Sequence, residues 1–248
     1  MMSLANVSLM ETVKKQFQFK MKAYIDAFSS LVGIQFIAIL FSLAGNGGSS
    51  GGSSSGFIFH IKNYSADLVI VFTFIWILVT SITITTKPYR NQEFTFVTNR
   101  LSSSLSNIFF LLAASILGAI TAVMSRFLIQ CIAYFLFKEQ LYATPLVTSE
   151  IMIGIVASLL YIFWISSIGY FIGALVQVHK MFAVLVPVIV VGSLFYDGFM
   201  QRDATLIGLF QFYFFESSLA LFAIKVLVTT ALFYLASMSI LNRMEVRR

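Results

Sequence analysis

Long apolar runs constrain the fold of this chain more than any other feature. A helix needs roughly 20 mostly apolar residues to cross the hydrocarbon of a membrane, and the sequence contains six runs that approach or exceed this length. The pattern predicts an all-α integral membrane protein in which residues 1–248 form a single transmembrane domain. The predicted spans are about 24–43, 68–86, 105–137, 151–176, 181–195 and 218–241.

The charged fraction supports this interpretation. Only 10% of the residues are charged and 59% are hydrophobic, whereas soluble domains carry roughly 25% charged residues. A core built from 248 residues cannot bury that much apolar surface, so lipid must surround much of the chain. The single cysteine, Cys131, excludes a disulfide framework, and its apolar surroundings predict a buried, inert thiol.

Lysine and arginine are distributed unevenly between the loops, which predicts the orientation. Cytoplasmic loops of membrane proteins carry an excess of Lys and Arg. With the N- and C-termini cytoplasmic, the outer segments hold only Lys62, Lys138 and Arg202. The inner segments hold Lys14, Lys15, Lys20, Lys22, Lys87, Arg90, Arg100, Lys180, Arg243, Arg247 and Arg248. We therefore expect the net charge of +6 to face anionic membrane lipid, and we expect no nucleic-acid partner.

Three segments outside the main spans have distinctive compositions. The stretch ETVKKQFQFKMK, residues 11–22, alternates basic and aromatic residues. It predicts either an amphipathic helix on the inner membrane face or a cytoplasmic start to the first span with snorkelling lysines. These lysines, and the lack of a compact apolar run before a small-residue site, give no sign of a cleavable signal peptide.

The Gly/Ser-rich stretch 45–56 predicts a flexible outer loop, natural or engineered. The stretch 205–215 has the length of a re-entrant or interfacial segment, placed on the outer side before the last helix.

The third apolar run is too long for a single perpendicular span. It covers about 33 residues, roughly 50 Å as one helix, and Arg126 interrupts it. Two alternatives follow: one long tilted helix, or a break near Arg126 with the remainder at the outer interface.

The sequence lacks the motifs of intramembrane and nucleotide-dependent enzymes. It has no His-Glu-x-x-His, no Gly-x-Ser-x-Gly and no Gly-x-x-x-x-Gly-Lys phosphate loop. His60 and His179 fall on opposite sides of the predicted membrane, and with one cysteine they cannot form a zinc site. We therefore expect no enzymatic activity, no metal and no cofactor on this chain.

Two charges lie inside predicted spans. An ionisable residue at membrane depth is a functional hypothesis by default. We expect Lys225 either to snorkel outward or to pair with an outer acid, or to take part in substrate or proton coupling. Arg126 either anchors its helix at the interface or has a functional role. The outer acids considered for Lys225 are Glu216, Glu150 and Asp203. Glycines in the fourth span, Gly154, Gly169 and Gly173, predict close helix packing.

The polar stretch Thr85 to Ser104 is an exception to the apolar character of the chain. The predicted topology makes it a cytoplasmic loop, and Glu93 to Arg100 can form about two helical turns. Such a helix would carry apolar surface from Phe94 and Phe96 beside polar and basic residues. It predicts either a docking element for a cytosolic partner or an interfacial helix that rests its phenylalanines among lipid headgroups.

This layout resembles the permease subunits of ABC exporters, the type 2 permeases of bacterial drug, antimicrobial-peptide and polysaccharide exporters. The stretch YRNQEFTFVTNRLSSSLSNIFF, residues 89–110, resembles the region where a coupling helix leads into the third span. QVHKM, residues 177–181, matches the second inner loop. The resemblance implies a multi-pass protein of the bacterial plasma membrane.

The resemblance also implies partners and their binding residues. Separate cytosolic ATPase subunits would carry ATP and Mg, and a second permease subunit would complete a homo- or heterodimer. The alternatives from other classes are a secondary transporter or channel and a non-transporting membrane scaffold or sensor partner. The residues implied to contact the ATPase are Arg90, Asn91, Glu93, Phe94, Phe96, Asn99, Arg100, His179 and Lys180.

Overall fold

The structure is a computed structural model that describes most of the chain and contains α-helices and one β-hairpin. Described are residues 9–46, 49–54, 57–62, 65–89, 100–137, 148–199, 208, 212–213, 216 and 218–243. The helices are α1 (Leu9–Ala23), α2 (Ile25–Phe41), α3 (Asp67–Ile84), α4 (Arg100–Phe137), α5 (Thr148–Val178), α6 (Phe182–Phe199) and α7 (Leu219–Arg243). A π-helical turn, Ser42–Asn46, ends α2, and the hairpin consists of β1 (Ser49–Ser54) and β2 (Phe57–Lys62).

Among the described residues, five helices are long and apolar enough to cross a membrane. They are Ile25–Ala44, Asp67–Ile84, Leu101–Leu136, Thr148–Val178 and Leu219–Asn242. The predicted fifth span, 181–195, falls in α6, whose apolar part Phe182–Asp197 is shorter than these. Large apolar side chains on these helices are exposed, such as Val32 at 67% and Leu232 at 61%. Five such helices with apolar outer surfaces indicate a multi-pass membrane protein.

Helix α4 runs without interruption through Arg126. It contains 38 residues, which at 1.5 Å per residue is about 57 Å. Of the two alternatives for the third apolar run, the single long helix is the one observed. Buried alanines along α4 explain how it packs, since Ala114, Ala119 and Ala122 have no exposed surface. The helix begins at Arg100, so the end of the polar stretch 85–104 belongs to its first turn.

Helix α1 is amphipathic and is separated from α2 by one non-helical residue, Tyr24. Its buried residues Val13, Gln16 and Lys20 follow helical spacing and share one face. The opposite face is exposed and carries an ion pair between Lys15 and Glu11 with an N–O distance of 2.9 Å. The hydrogen bond from Lys15 holds the pKa of Glu11 below its usual value. The structure shows a separate amphipathic helix, as the first of the two expectations requires; its place on the inner membrane face stays a prediction.

The Gly/Ser-rich segment differs from the predicted flexible loop. Residues 49–54 pair antiparallel with 57–62, from Ser49 opposite Lys62 to Ser54 opposite Phe57. The partner strand FIFHIK is rich in β-branched and aromatic residues, which favour strands. Residues 49–54 have little strand propensity of their own, and pairing with this strand holds them in an extended conformation.

The described chain divides into two compact units. The first contains Met1–Lys22, Leu78–Leu111 and Phe163–Arg248, and the second contains Ala23–Ile77 and Leu112–Ile162. The core of the second unit includes Ala38, Ala66, Val69, Ala122 and Ile129. Polar side chains there bond within the bundle. The Trp76 indole donates to Ser30 Oγ over 2.9 Å and the Gln35 amide donates to Thr73 Oγ1 over 3.1 Å.

In the first unit, α5 packs closely against α3 at Gly169 and Gly173. These are two of the three glycines for which the sequence predicts close helix packing. A Cβ at Gly169 would lie 2.8 Å from the Leu78 carbonyl oxygen and collide with the Ser81 hydroxyl. A Cβ at Gly173 would collide with the Thr85 hydroxyl. Only a residue without a side chain permits this approach.

Two expectations from the sequence are wrong at the level of single residues. A Cβ at Gly154 would meet no atom within 4 Å, so this glycine does not mediate close packing. Cys131 is exposed on α4 and not buried. Both positions occur in strongly apolar sequence, and an apolar helix in a membrane has lipid-facing positions that composition alone does not distinguish from buried ones.

Candidate functional site

The predicted ATPase-contact residues are only partly covered by the structure. Six of them, Arg90, Asn91, Glu93, Phe94, Phe96 and Asn99, lie outside the described residues. Arg100 is the first residue of α4. His179 and Lys180 are exposed between α5 and α6, and the His179 ring accepts a hydrogen bond at Nδ1 from the Met181 backbone N–H over 3.3 Å.

A buried lysine lies next to the start of α4. The Lys20 side chain is only 1% exposed, although three other lysines of the same segment, Lys14, Lys15 and Lys22, are exposed. Its ammonium donates to Asn107 Oδ1 over 2.5 Å, to Ser106 Oγ over 2.6 Å and to the Ser103 carbonyl over 3.2 Å. These contacts attach the N-terminal helix to the first two turns of α4.

The local sequence explains why this site forms. Lys20 follows Val13 and Gln16 at helical spacing, so burying the apolar face of α1 also buries the lysine. A buried ammonium is strongly unfavourable without acceptors, and the start of α4, RLSSSLSN, supplies hydroxyl, amide and carbonyl oxygens on neighbouring turns. In the sequence, Lys20 contributes to the charge bias that predicts the orientation, and this bias does not indicate a buried role. Its position in the buried stripe of α1 was the signal that distinguishes it from the other lysines.

Polar contacts continue from Asn107 into the interior of the first unit. The Asn107 amide donates to the Tyr170 hydroxyl over 3.5 Å, the longest contact of the group. Tyr170 has no exposed surface, and its ring centroid lies 5.7 Å from that of Tyr234. The Tyr234 hydroxyl shares a hydrogen bond of 2.7 Å with Ser166 Oγ. We call these residues, Lys20, Asn107, Tyr170, Ser166 and Tyr234, the buried polar cluster.

The buried polar cluster connects four helices. Lys20 belongs to α1, Asn107 to α4, Tyr170 and Ser166 to α5, and Tyr234 to α7. Buried polar groups must keep their hydrogen-bond partners in place, because a group that loses its partner in the interior is left desolvated and unpaired, which is costly. A displacement of the start of α4 therefore requires a response from α1 and α5 at the same time.

Lys225 forms one of the contacts predicted for it. Its ammonium pairs with the Glu216 carboxylate and lies 3.9 Å from the centroid of the Phe212 ring. Both side chains of the ion pair are about a quarter exposed. Neighbouring Tyr213 stacks on Trp164 of α5 at a centroid distance of 4.5 Å. Within the predicted re-entrant segment, Phe212 thus contacts α7 and Tyr213 contacts α5. Apart from Gly208, the rest of 205–215 lies outside the described residues.

Arg126 faces a cavity in the second unit. The cavity has a volume of about 390 Å³ and lies among the starts of α3 and α5 and the middle of α4. Two carboxylates, Asp67 and Glu150, line it with the guanidinium. The other lining residues are Ser65, Ala66, Ile70, Val123, Phe127, Ile151, Gly154 and Ser158.

Within the ranges that the structure covers, there is no group of three or more His, Cys, Asp or Glu side chains that could hold a metal ion. The two features that stand out are the buried polar cluster and the cavity at Arg126. Comparison with protein-family models, curated proteins and solved structures finds no match for this chain, so functional inference depends on these two features and on the topology.

Proposed function

We propose that this chain is the permease subunit of an ATP-driven exporter, with six spans, both termini cytoplasmic and a second permease subunit as its partner. Separate ATPase subunits carry ATP and Mg and dock on the 85–104 loop. The observation that carries the proposal is the attachment of α1 to the start of α4 by Lys20. Helix α4 is the helix into which the proposed docking residues lead.

The arrangement supports coupling for a mechanical reason. Residues 90–99 connect directly to Arg100, the first residue of a continuous helix, so a partner that displaces them displaces the end of α4. The Lys20 ammonium then moves α1, and Asn107 moves relative to Tyr170 of α5. If the 85–104 loop merely rested on lipid, the start of α4 that follows it would not need to be held by the buried Lys20 ammonium.

A second candidate, a secondary transporter or channel, is favoured by one observation. Arg126 is a charge inside a long apolar helix and faces a cavity, as expected for a site on a substrate path. Such a protein would need no ATPase. Lys225 gives this candidate less support than the sequence suggested, because its charge is paired with Glu216.

Affinity purification in mild detergent tests the proposal. An ATPase subunit should co-purify with the full-length chain, and reconstituted complexes should transport only with hydrolysable ATP. The permease assignment is wrong if transport persists without any ATPase. It is also wrong if no ATPase associates with a correctly inserted chain whose own membrane partners are retained.

A further inference from the structure

Arg126 has a partly exposed charge for which the described protein supplies no ion-pair partner. Most of its neighbours along α4 are apolar, apart from Ser125 before it and Gln130 one turn later. An arginine in a membrane helix normally pairs with an acid or a backbone carbonyl. Within the described residues, no carboxylate lies within 4.0 Å of its guanidinium. Arg126 instead lines the cavity of about 390 Å³, where an anion from outside the protein can complete the environment of its charge.

The cavity carries both signs of charge at separate places. Asp67 lies in the first turn of α3 and Glu150 in the first turn of α5, and Arg126 belongs to α4. A ligand with only an anionic group would pair with the guanidinium, but the two carboxylates would repel it. A ligand with both an anion and a cation can satisfy all three residues. Ser65 and Ser158 add hydroxyl groups that can donate or accept.

We propose that this cavity binds the headgroup of a zwitterionic phospholipid with a primary ammonium, of the phosphatidylethanolamine class. The phosphate binds Arg126 and the ammonium binds Asp67 and Glu150. Guanidinium presents planar paired donors that match a phosphate. An ammonium offers three N–H donors, enough for two carboxylates. The proposal goes beyond the proposed function, since it requires membrane insertion but no ATPase.

The surroundings of the cavity favour a lipid over a free solute. Phe127 lines the cavity and is 42% exposed, and Met152 and Ile153, next to the lining residue Ile151, are 59% and 54% exposed. Acyl chains can pack on this apolar surface while the headgroup occupies the cavity. The volume is within the range of about 300 to 1,000 Å³ typical of small-molecule sites.

The absence of a side chain at Gly154 keeps the cavity open. This glycine lines the cavity, and a Cβ there would meet no protein atom within 4 Å. A side chain there would begin in open space at the lining of the cavity, so we expect a large residue to narrow the space for the ligand. The position provides a way to fill the site without removing any charge.

Native mass spectrometry of the purified full-length protein tests the proposal first without any variant. Phosphatidylethanolamine, phosphatidylcholine and phosphatidylglycerol with identical acyl chains are added separately. We expect phosphatidylethanolamine to be retained at least tenfold more strongly than the other two. Choline has no N–H to donate and glycerol has no cation. Equal retention of the three lipids would overturn the proposal and leave Arg126 as an interface anchor.

A soluble competitor distinguishes a lipid from a free zwitterion. Glycerophosphoethanolamine carries the same headgroup without acyl chains. We expect it to displace phosphatidylethanolamine only at a large excess, because it lacks the apolar contacts. Displacement at equal concentration would show that the site takes a free zwitterion, and the assignment to a lipid would be wrong.

Variants then test which side chains bind the phosphate and which bind the ammonium of the lipid. Arg126→Gln and Gly154→Leu should each weaken phosphatidylethanolamine binding by tenfold or more, and Asp67→Asn with Glu150→Gln should abolish its preference over phosphatidylcholine. Arg126→Lys keeps the charge and should retain part of the binding. Lys225→Met is the control, since it removes a membrane charge that does not line the cavity. Wild-type binding by the Arg126→Gln and Gly154→Leu variants would overturn the proposal.

Discussion

The Lys20 ammonium lies 2.5 Å from Asn107 Oδ1, and this contact joins α1 to the start of α4, the longest of the described helices. The two residues are separated by 87 positions in the sequence. In the proposed permease, the contact lies beside the loop that receives the ATPase. Helix α1 is then part of the coupling apparatus as well as a membrane-surface segment.

Replacement of Lys20 should separate the two helices. Lys20→Met preserves much of the side-chain volume but leaves acceptors on Ser106 and Asn107 without their donor. Leaving buried polar groups unsatisfied costs about 1 to 3 kcal/mol each, so the thermal midpoint in detergent should fall by several degrees. Lys14→Met is the matched control, because Lys14 is on the same helix and exposed. Equal midpoints for both variants would contradict a structural role for Lys20.

The glycine contacts between α5 and α3 give a second stability prediction. Gly169→Ala should destabilise the folded protein, since the added methyl group would lie 2.8 Å from the Leu78 carbonyl oxygen. Overpacking typically costs about 1 to 3 kcal/mol. Gly154→Ala, in the same helix with no atom near its Cβ, should match wild type or exceed it slightly, because alanine favours helix. The measurement is thermal unfolding in detergent, and destabilisation by both or by neither would refute the packing argument.

The docking stretch is tested through its aromatics. Phe94→Ala with Phe96→Ala should leave the protein inserted and folded but weaken ATPase association by tenfold or more, equivalent to about 1.4 kcal/mol. Transport should fall in parallel. Phe36→Ala is the control, since Phe36 is 60% exposed on α2. Unchanged ATPase retention on an affinity column would mean that the stretch only rests on lipid.

Lys225 should be dispensable for transport. Its ion pair with Glu216 is about a quarter exposed on both sides, so the long lysine side chain can reach the interface at little cost. Lys225→Met should therefore retain activity within a few-fold of wild type, as should Glu216→Gln. Complete loss of transport by Lys225→Met, with normal protein level and normal ATPase association, would favour the secondary-transporter alternative.

The proposed topology is accessible to labelling. In a Cys131→Ala background, required because the native thiol is exposed, cysteines are introduced singly. Those at Ser54, Lys138 and Arg202 should react with an impermeant thiol reagent added to intact cells, and those at Asn91 and Lys180 should react only after permeabilisation. Labelling of Asn91 from outside would reverse the orientation and remove the basis for a cytosolic docking site.

The main helices were predictable from the sequence because each depends on its own residues. Runs of apolar residues fixed α2, α3, α5 and α7 within a few positions, since a membrane helix must satisfy its backbone internally. The continuity of α4 through Arg126 was left open, because a single charge in an apolar run is compatible with a break or with a cavity beside the helix. The continuous helix packs on other helices through buried alanines such as Ala119 and Ala122, and the sequence of α4 alone does not report those contacts.

The buried polar cluster was not predictable for the same reason. Lys20 shares the helical stripe of Val13 and Gln16, which separates it from Lys14 and Lys22. The stripe alone does not say which helix α1 packs against or which oxygens accept from the ammonium. Tyr170 and Tyr234 occur among many aromatics, and nothing local indicates which hydroxyls are buried. Contacts between residues far apart in sequence are fixed by helix packing, and periodicity within one helix does not report them.

The glycine contacts at Gly169 and Gly173 act as a mechanical constraint. At these glycines the backbone of α5 approaches the backbone of α3. A shift of α5 by one residue along α3 would bring the side chain of Tyr170 or Ala174 to a position where only the hydrogen atom of a glycine fits. Sliding between the two helices is therefore blocked. Any conformational cycle in this part of the protein must carry Leu78–Ile84 and Gly169–Ala174 as one rigid body, and the motion has to occur at the other contacts of α5, where hydroxyls and aromatic rings can exchange partners.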